Sequence, residues 1–315
     1  MTLTQLNAFV LVARLGSVRA AAAALGVSES AVSQAITALR QDLGDQLVTR
    51  SAAGMTLTPG GTRLLGTASQ IVVLGAEAHA AVRAAQGAPE QLRVAATSTF
   101  AEFVAAPLLE AFRRRFPGPV EITTGVAAAG ELGVLIANRL ADIAIGPAAG
   151  GQHELPVVSE PVFKYRLVVV AGNQGRPRGP ARQWRWLVDP SGTDPGSETA
   201  ALLRRLAIPD SNTGVFQSQT AALAAAADGA GVAPAIEHLV APQLRRGALT
   251  LIDLPGLPAE ECWHATLLER EHRPTAASAL RRFLTTPEAM QLMRAPAAGV
   301  PPSRFKPPVY VTIWS

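Results

Sequence analysis

Ser30, Ser33, Gln34, Thr37 and Gln41 recur at spacings that place them on one side of a helix, opposite an apolar stripe of Val32, Ile36, Leu39 and Leu43. A solvated helix in an arginine-rich chain would be expected to carry Arg and Glu on that side. Short hydroxyl and amide side chains instead reach hydrogen-bonding edges without bulk, and the chemistry they suit is reading base edges in a DNA groove. A second group, Thr97-Ser98-Thr99, falls between an expected strand and an expected helix. Unpaired N–H groups and a partial positive charge at a helix N-terminus, with hydroxyls beside them, suit a carboxylate ligand; a plain helix cap is the alternative. Catalytic chemistry has no comparable support. There is no GxSxG, HExxH, CxxC or phosphate-loop pattern, and His79, His153, His238, His264 and His272 form no ligand spacing. Cys262 is the only cysteine, which excludes an intrachain disulfide and a cysteine metal cluster. The chain is therefore not read as an enzyme, and no metal or cofactor is expected.

The elements that must present these residues follow from local signals. In GSVRAAAAALGVSESAVSQAITALRQDLG, residues 16–44, Ser17 can cap a first helix of alanines that Gly26 ends, and Ser28 can cap a second. Two short helices about a tight turn, the second with a polar face, make the helix-turn-helix plan, in which the second helix enters the major groove. A surface helix pair in an all-α domain is the alternative reading of the same pattern.

Residues 3 to 65 resemble the N-terminal winged helix-turn-helix domain of LysR-type transcriptional regulators. The matching points are Leu6, Phe9, Gly16-Ser17, Ala21-Ala22, Leu25, Val27-Ser28, Ala31-Val32-Ser33, Ile36, Leu39, Leu43-Gly44, Leu47, Arg50 and Leu57-Thr58-Pro59-Gly60, in that order. The resemblance implies that Ser28, Glu29, Ser30, Ser33, Gln34 and Thr37 meet DNA. It also implies that Arg50 and Thr58, around a hairpin from Ser51 to Thr58 with its Gly54, touch the sugar-phosphate backbone. Four positions depart from the family pattern: Glu29-Ser30 stand where Gln-Pro is usual, Thr37 stands where an Arg is often found, and Val48 replaces a common Phe.

At 315 residues and 48% hydrophobic residues the chain should hold two or three domains with ample core. Its net charge of +4 is unevenly spread: residues 1–87 carry six basic against four acidic residues, residues 88–280 carry 17 against 19, and residues 281–315 carry five against one. The mildly basic first section has little phosphate attraction in a single copy, so oligomerisation is expected to multiply it. MTLTQLNAFVLVAR lacks the basic start of a signal peptide, and no apolar run approaches the roughly 20 residues of a membrane span, so a cytoplasmic protein without membrane contact is expected.

The expected fold class is α/β, with a winged helix-turn-helix at 1–58, a linker helix at 59–87, a two-lobed effector domain at 88–295 and an extension at 296–315. Thr2 to Leu15 reads as a first helix packing through Leu3, Leu6, Phe9, Val10 and Ala13. From Pro59 the pattern is helical to Gln86, and Leu64, Ile71, Ala78 with Thr67, Leu74, Ala81 repeat at seven. This seam has no obvious intramolecular partner, so Leu64, Ile71, Leu74 and Ala78 are assigned to dimerisation, as the resemblance also implies; a core helix of the first domain is the alternative. Beyond Gly87-Ala88-Pro89, strands at 92–96, 120–125 and 142–145 alternate with helices at 100–116 and 132–140, the pattern of a parallel sheet. TSTFAEFVAAPLLEAFRRRFPG and NRLADIAIG resemble the first lobe of the LysR-type effector domain, which has the periplasmic-binding-protein fold.

A second lobe is expected over 162–262, with a strand at 163–171, a Pro/Gly-rich segment at 175–180, a loop at 189–197, helices at 198–206 and 220–228, and strand segments around 214–216 and 231–234. The chain should return to the first lobe, 91–161, at 263–268 and continue in it to 295, with a helix at 275–284. The resemblance implies a small effector, taken as anionic, in the cleft between the lobes. It would be held by Thr97, Ser98 and Thr99 on one side, Ser191 and Thr193 on the other, Gly146 and Pro147 on the connecting strands, and Ser218 after a strand. The implied partners are a double-stranded operator, the effector, a second copy in a dimer or a tetramer of dimers, and RNA polymerase. A solute-binding protein of the same fold without a DNA role is the alternative, and the DNA-binding head argues against it.

Overall fold

The computed structural model describes residues 1–51, 54–150, 157–173 and 177–295. His153, part of the 175–180 segment and the 296–315 extension lie outside the described residues, as does the side chain of Arg50.

Three helices build the first unit: α1 (Leu3–Leu15), α2 (Val18–Leu25) and α3 (Glu29–Leu43). Thr2, Ser17 and Ser28 cap them through their hydroxyls, and Gly16, Gly26 and Gly44, each at φ 66°, end them in the left-handed region. Leu6, Phe9, Val10, Val32, Ile36 and Leu39 meet in the core. Leu43, expected in the apolar stripe, is 43% exposed because the helix leaves the core in its last turn before Gly44; Leu3, expected on the packing face, is likewise exposed in the first turn of α1. The hairpin is longer than expected: β1 (Val48–Ser51) pairs antiparallel with β2 (Gly54–Leu57). Arg40 of α3 fastens it, its Nε donating to the Gln46 carbonyl at 2.6 Å and its other guanidinium nitrogen to the Val48 carbonyl at 2.6 Å.

The long helix α4 (Pro59–Ala85) follows. At Gly61 an added Cβ would lie 2.0 Å from the Leu47 carbonyl oxygen, so only glycine lets the helix start this close to the hairpin. One face of α4, with Leu64, Leu65, Ala68 and Val72, joins the core that contains α1. The helix therefore has an intramolecular partner, contrary to expectation, and Leu64 belongs to that contact rather than to an open seam. Its other face, with Ile71, Leu74, Ala78 and Val82, is exposed, Leu74 by 62%.

The remainder is a two-lobed α/β unit. In chain order it comprises β3 (Glu90–Ala96), α5 (Ser98–Phe100), a π-helical turn (Ala101–Ala105), α6 (Ala106–Arg115), β4 (Val120–Val126), α7 (Ala129–Ala137), β5 (Ile143–Gly146) and β6 (Val157–Ala171). It continues with β7 (Trp186–Val188), a 3-10 turn (Pro190–Thr193), α8 (Glu198–Arg205), β8 (Thr213–Val215), α9 (Gln219–Ala227), β9 (Val232–Ile236) and α10 (Glu237–Arg245). It closes with β10 (Thr250–Ile252), β11 (Ala259–Leu268), α11 (Thr275–Leu284) and α12 (Pro287–Arg294). Sequence signals missed β7, α10, β10 and α12; two of these are three-residue strands, too short for a period, and α10 carries an internal Pro242.

The two expected lobes share one ladder, β4-β3-β5-β11-β6-β9-β7-β8, with β10 added to β6. Parallel pairs form each lobe, β3 with β4 and β5 in one, β7 with β8 and β9 in the other. The antiparallel strands β6 and β11 run through both. Their register shifts between Trp263, opposite Phe163, and His264, opposite Pro161, which leaves Val162 as an extra residue where the chain passes from lobe to lobe. Trp263 packs there against Phe100, Phe163 and Tyr165 at ring separations of 5.0, 5.6 and 5.1 Å.

Candidate DNA-reading face and effector cleft

The exposed side of α3 carries Glu29, Ser30, Ser33, Gln34, Thr37 and Gln41, with the capping Ser28 exposed just before it. Ser28 is partly committed: its hydroxyl accepts from the Ala31 N–H at 3.2 Å and lies 2.8 Å from the Ser30 hydroxyl. Thr37 donates to the Ser33 carbonyl one turn back at 2.9 Å. Glu29, in the first turn, faces the positive end of the helix. Thr58 does not have the expected freedom to touch a phosphate. Its hydroxyl donates to Asp45 Oδ1 at 2.7 Å and accepts from the Gly61 N–H at 2.9 Å, so it caps α4 and ties it to the loop after α3. The Leu47 N–H, and after it the Thr58 hydroxyl, hold the Asp45 carboxyl below its ordinary range. Arg50 lies on β1 opposite Met55.

In the second unit a cavity of about 190 Å³ lies between the lobes. Thr97, Ser98 and Thr99 line it from the first lobe and Ser191 from the second, so the structure brings these four together. The other expected ligands lie apart from the lining. Gly146 is backed by the side chains of Leu132 and Thr97, each within 3 Å of where a Cβ would stand, and the adjoining Pro147 is only partly exposed. Thr193 turns outward and donates to the Pro190 carbonyl at 2.9 Å. Ser218 caps α9, accepting from the Ala221 N–H at 3.2 Å.

Acidic residues that local patterns gave no reason to select dominate the cleft. Ser98 Oγ donates across it to Asp189 Oδ2 at 2.5 Å, and Ser191 Oγ donates to the other carboxylate oxygen at 2.5 Å. Asp189 is 0% exposed. Thus the carboxylate expected at the Ser98 helix start is supplied by the protein itself. Asp194 does the same at α7, accepting from the Ala129 N–H at 2.6 Å. Glu102 accepts from the Gln219 and Thr220 N–H groups at the start of α9, at 3.1 and 3.0 Å. Carboxylates from one lobe therefore sit at helix starts of the other, where the unpaired N–H groups and helix dipole favour negative charge.

The rest of the lining includes Glu131, Asp194, Glu198, Tyr165 and Trp263, and no Arg, Lys or His among the described residues. The Tyr165 hydroxyl donates to Glu198 Oε1 at 2.7 Å, and burial beside that acid pushes its own pKa up. Burial raises the Glu198 carboxyl, and the charges of Glu261 and Asp194 add to it. Glu131 is raised by burial and by Asp194, against the lowering effect of the Ala128 N–H it accepts at 3.0 Å. Glu102 is raised by burial, which outweighs its two backbone donors. An anionic effector, expected from sequence, would meet this field without a compensating cation in the lining.

Two family models match the chain: bacterial regulatory helix-turn-helix protein, lysR family, over residues 3–62, and LysR substrate binding domain over residues 85–287. An uncharacterized HTH-type transcriptional regulator of Mycobacterium tuberculosis is 40% identical over 323 residues, which cover 100% of both chains. Among solved structures, the full-length Vibrio cholerae virulence activator AphB shares the fold with a TM-score of 0.52 at 16% identity, over 90% of this chain and 98% of its own. CbnR complexed with its target DNA matches with a TM-score of 0.50 at 20% identity, over 90% and 99%. No helix among the described residues is long and apolar enough to cross a membrane. With both its DNA-binding and its substrate-binding sections matched, and a relative matched end to end, the chain belongs to the LysR family of DNA-binding transcriptional regulators.

Proposed function

We propose that this regulator is switched by a small metabolite held in the cavity between the lobes of its effector domain. The observation that carries the reading is the set of cross-lobe bonds at the cavity wall, Ser98 to Asp189 and Ala129 to Asp194. A ligand bound there with different affinity for open and closed lobes shifts their equilibrium by that difference. Ser30, Ser33, Gln34 and Thr37 read base edges, while Ser28 and Arg50 contact the backbone; CbnR, which shares the fold, has been solved on its target DNA. Glu29 is suited to accept from a cytosine amino group. The exposed stripe of α4, Ile71, Leu74, Ala78 and Val82, joins two copies, which doubles the phosphate attraction of a mildly basic head.

Footprinting of the purified protein on DNA selected from a random pool tests the assignment, with operator affinity then titrated against a metabolite panel. A protected site whose affinity changes with a metabolite, and no longer changes when Ser98 or Ser191 is replaced by Ala, is the expected result. A protein that binds metabolite but protects no DNA would favour the solute-binding alternative. A response that survives both substitutions with unchanged midpoint places the effector elsewhere.

A further inference from the structure

The cavity wall combines two kinds of surface. Tyr165, Trp263, Leu167 and Ile236 form an apolar and aromatic side, and Glu131, Asp194 and Glu198 contribute carboxylates from both lobes. Glu131 stands on α7 of the first lobe; in the second, Asp194 ends the 3-10 turn and Glu198 opens α8. No Arg, Lys or His is among the described lining residues. Two of the hydroxyls that would serve an anion are occupied, Ser98 and Ser191 both donating to Asp189.

We propose that the effector is a small organic cation, an amine or guanidinium on a short apolar stem, whose charge lies among Glu131, Asp194 and Glu198 and whose stem lies against Tyr165 and Trp263. The proposal rests on the reading of this cavity as the effector site and adds its ligand class. Crowded, partly desolvated carboxylates repel one another, and a cation relieves that repulsion for both lobes at once, so it binds the closed arrangement better than the open one. Aromatic faces attract the same charge through their quadrupoles. The raised carboxyls of Glu131 and Glu198 are those a bound cation would return toward ionisation. Cation binding therefore releases protons, and its affinity rises with pH through their elevated range and levels off above it. An anion would show the opposite slope.

Calorimetric titration of the full-length protein with agmatine and 1,4-diaminobutane, against succinate as an anion of matched length, tests this at about pH 5 and about pH 7.5. The expected result is binding of at least one amine, tighter at the higher pH, with no binding of succinate. Glu198→Gln and, on the other lobe, Glu131→Gln should each weaken the amine at least roughly tenfold, while Glu269→Gln, exposed and outside the lining, should leave it unchanged. Two carboxylates on separate lobes keep the test informative if one variant fails to fold. Binding of succinate without the amines overturns the cation and leaves the cavity as the effector site. No amine binding at roughly 10 mM also overturns the cation. Amine binding that neither carboxamide variant weakens removes the ligand from this cavity, and the site assignment fails with it.

Discussion

Removing the Ser98 hydroxyl should loosen the two lobes by a predictable amount. Ser98 Oγ is one of two side-chain donors to Asp189, at 2.5 Å, and the carboxylate is 0% exposed, so its loss leaves a buried acceptor short of a partner. A hydrogen bond to a charged group contributes about 1.5–3 kcal/mol, and the full cost is felt when the acceptor stays buried. Ser98→Ala should therefore lose about 1.5–3 kcal/mol, which for a unit of this size lowers its melting temperature by roughly 3–12 °C. Urea unfolding of the full-length protein, followed by tryptophan emission, gives the stability of Ser98→Ala, Asp189→Ala and the double variant. The cycle isolates the pair, with an expected coupling of about 1.5–3 kcal/mol. A coupling below about 0.5 kcal/mol would refute the reasoning, because the bond would then contribute no more than an exposed contact.

Gln34→Ala and Ser33→Ala should each reduce specific operator affinity by about 1–3 kcal/mol with little change in non-specific binding, measured by competition at fixed salt; equal losses on both DNAs would remove α3 from the groove. Leu74→Asp, at a side chain 62% exposed in one copy, should abolish the dimer by placing a carboxylate in an apolar contact, and a variant that sediments like the parent would exclude this face as the interface. Gly61→Ala should displace α4 from the hairpin, since the new methyl would meet the Leu47 carbonyl at 2.0 Å; unchanged stability and DNA binding would contradict the packing described. Burial, with some repulsion from Arg294, depresses the His238 pKa from 6.5 to about 4, despite an opposing backbone bond from Met293. The unfolded chain then takes up the proton first, so stability from this group is complete above about pH 6.5 and declines between there and about pH 4. His238→Asn should flatten that part of a melting-temperature profile, and an unchanged profile would assign the acid sensitivity to other groups.

Local residues were enough to determine the helix-turn-helix section of this molecule. Ser17 and Ser28 start helices and Gly26 and Gly44 end them by bonds that span only a few residues, and the polar side of α3 is a consequence of helical period alone. Thr97, Ser98 and Thr99 were legible in the same way, as hydroxyls at a strand-to-helix passage, and so was the alternation that makes a parallel sheet. Only the tertiary structure decided what those hydroxyls face. Asp189 lies 91 residues from Ser98, and Asp194 lies 65 residues from the Ala129 N–H it accepts. A helix start signals that an anion fits, not whether the chain brings its own. The sign of the charge in the cleft was for this reason not legible in sequence, since it is the sum over Glu131, Asp194 and Glu198, which meet only once both lobes are folded. The faces of α4 follow the same rule: their apolar repeat is local, but which side α1 covers depends on where α1 docks. Hydrogen bonds along a helix reach four residues, whereas burial and electrostatic fields depend on whatever lies within a few ångströms in space, from any part of the chain.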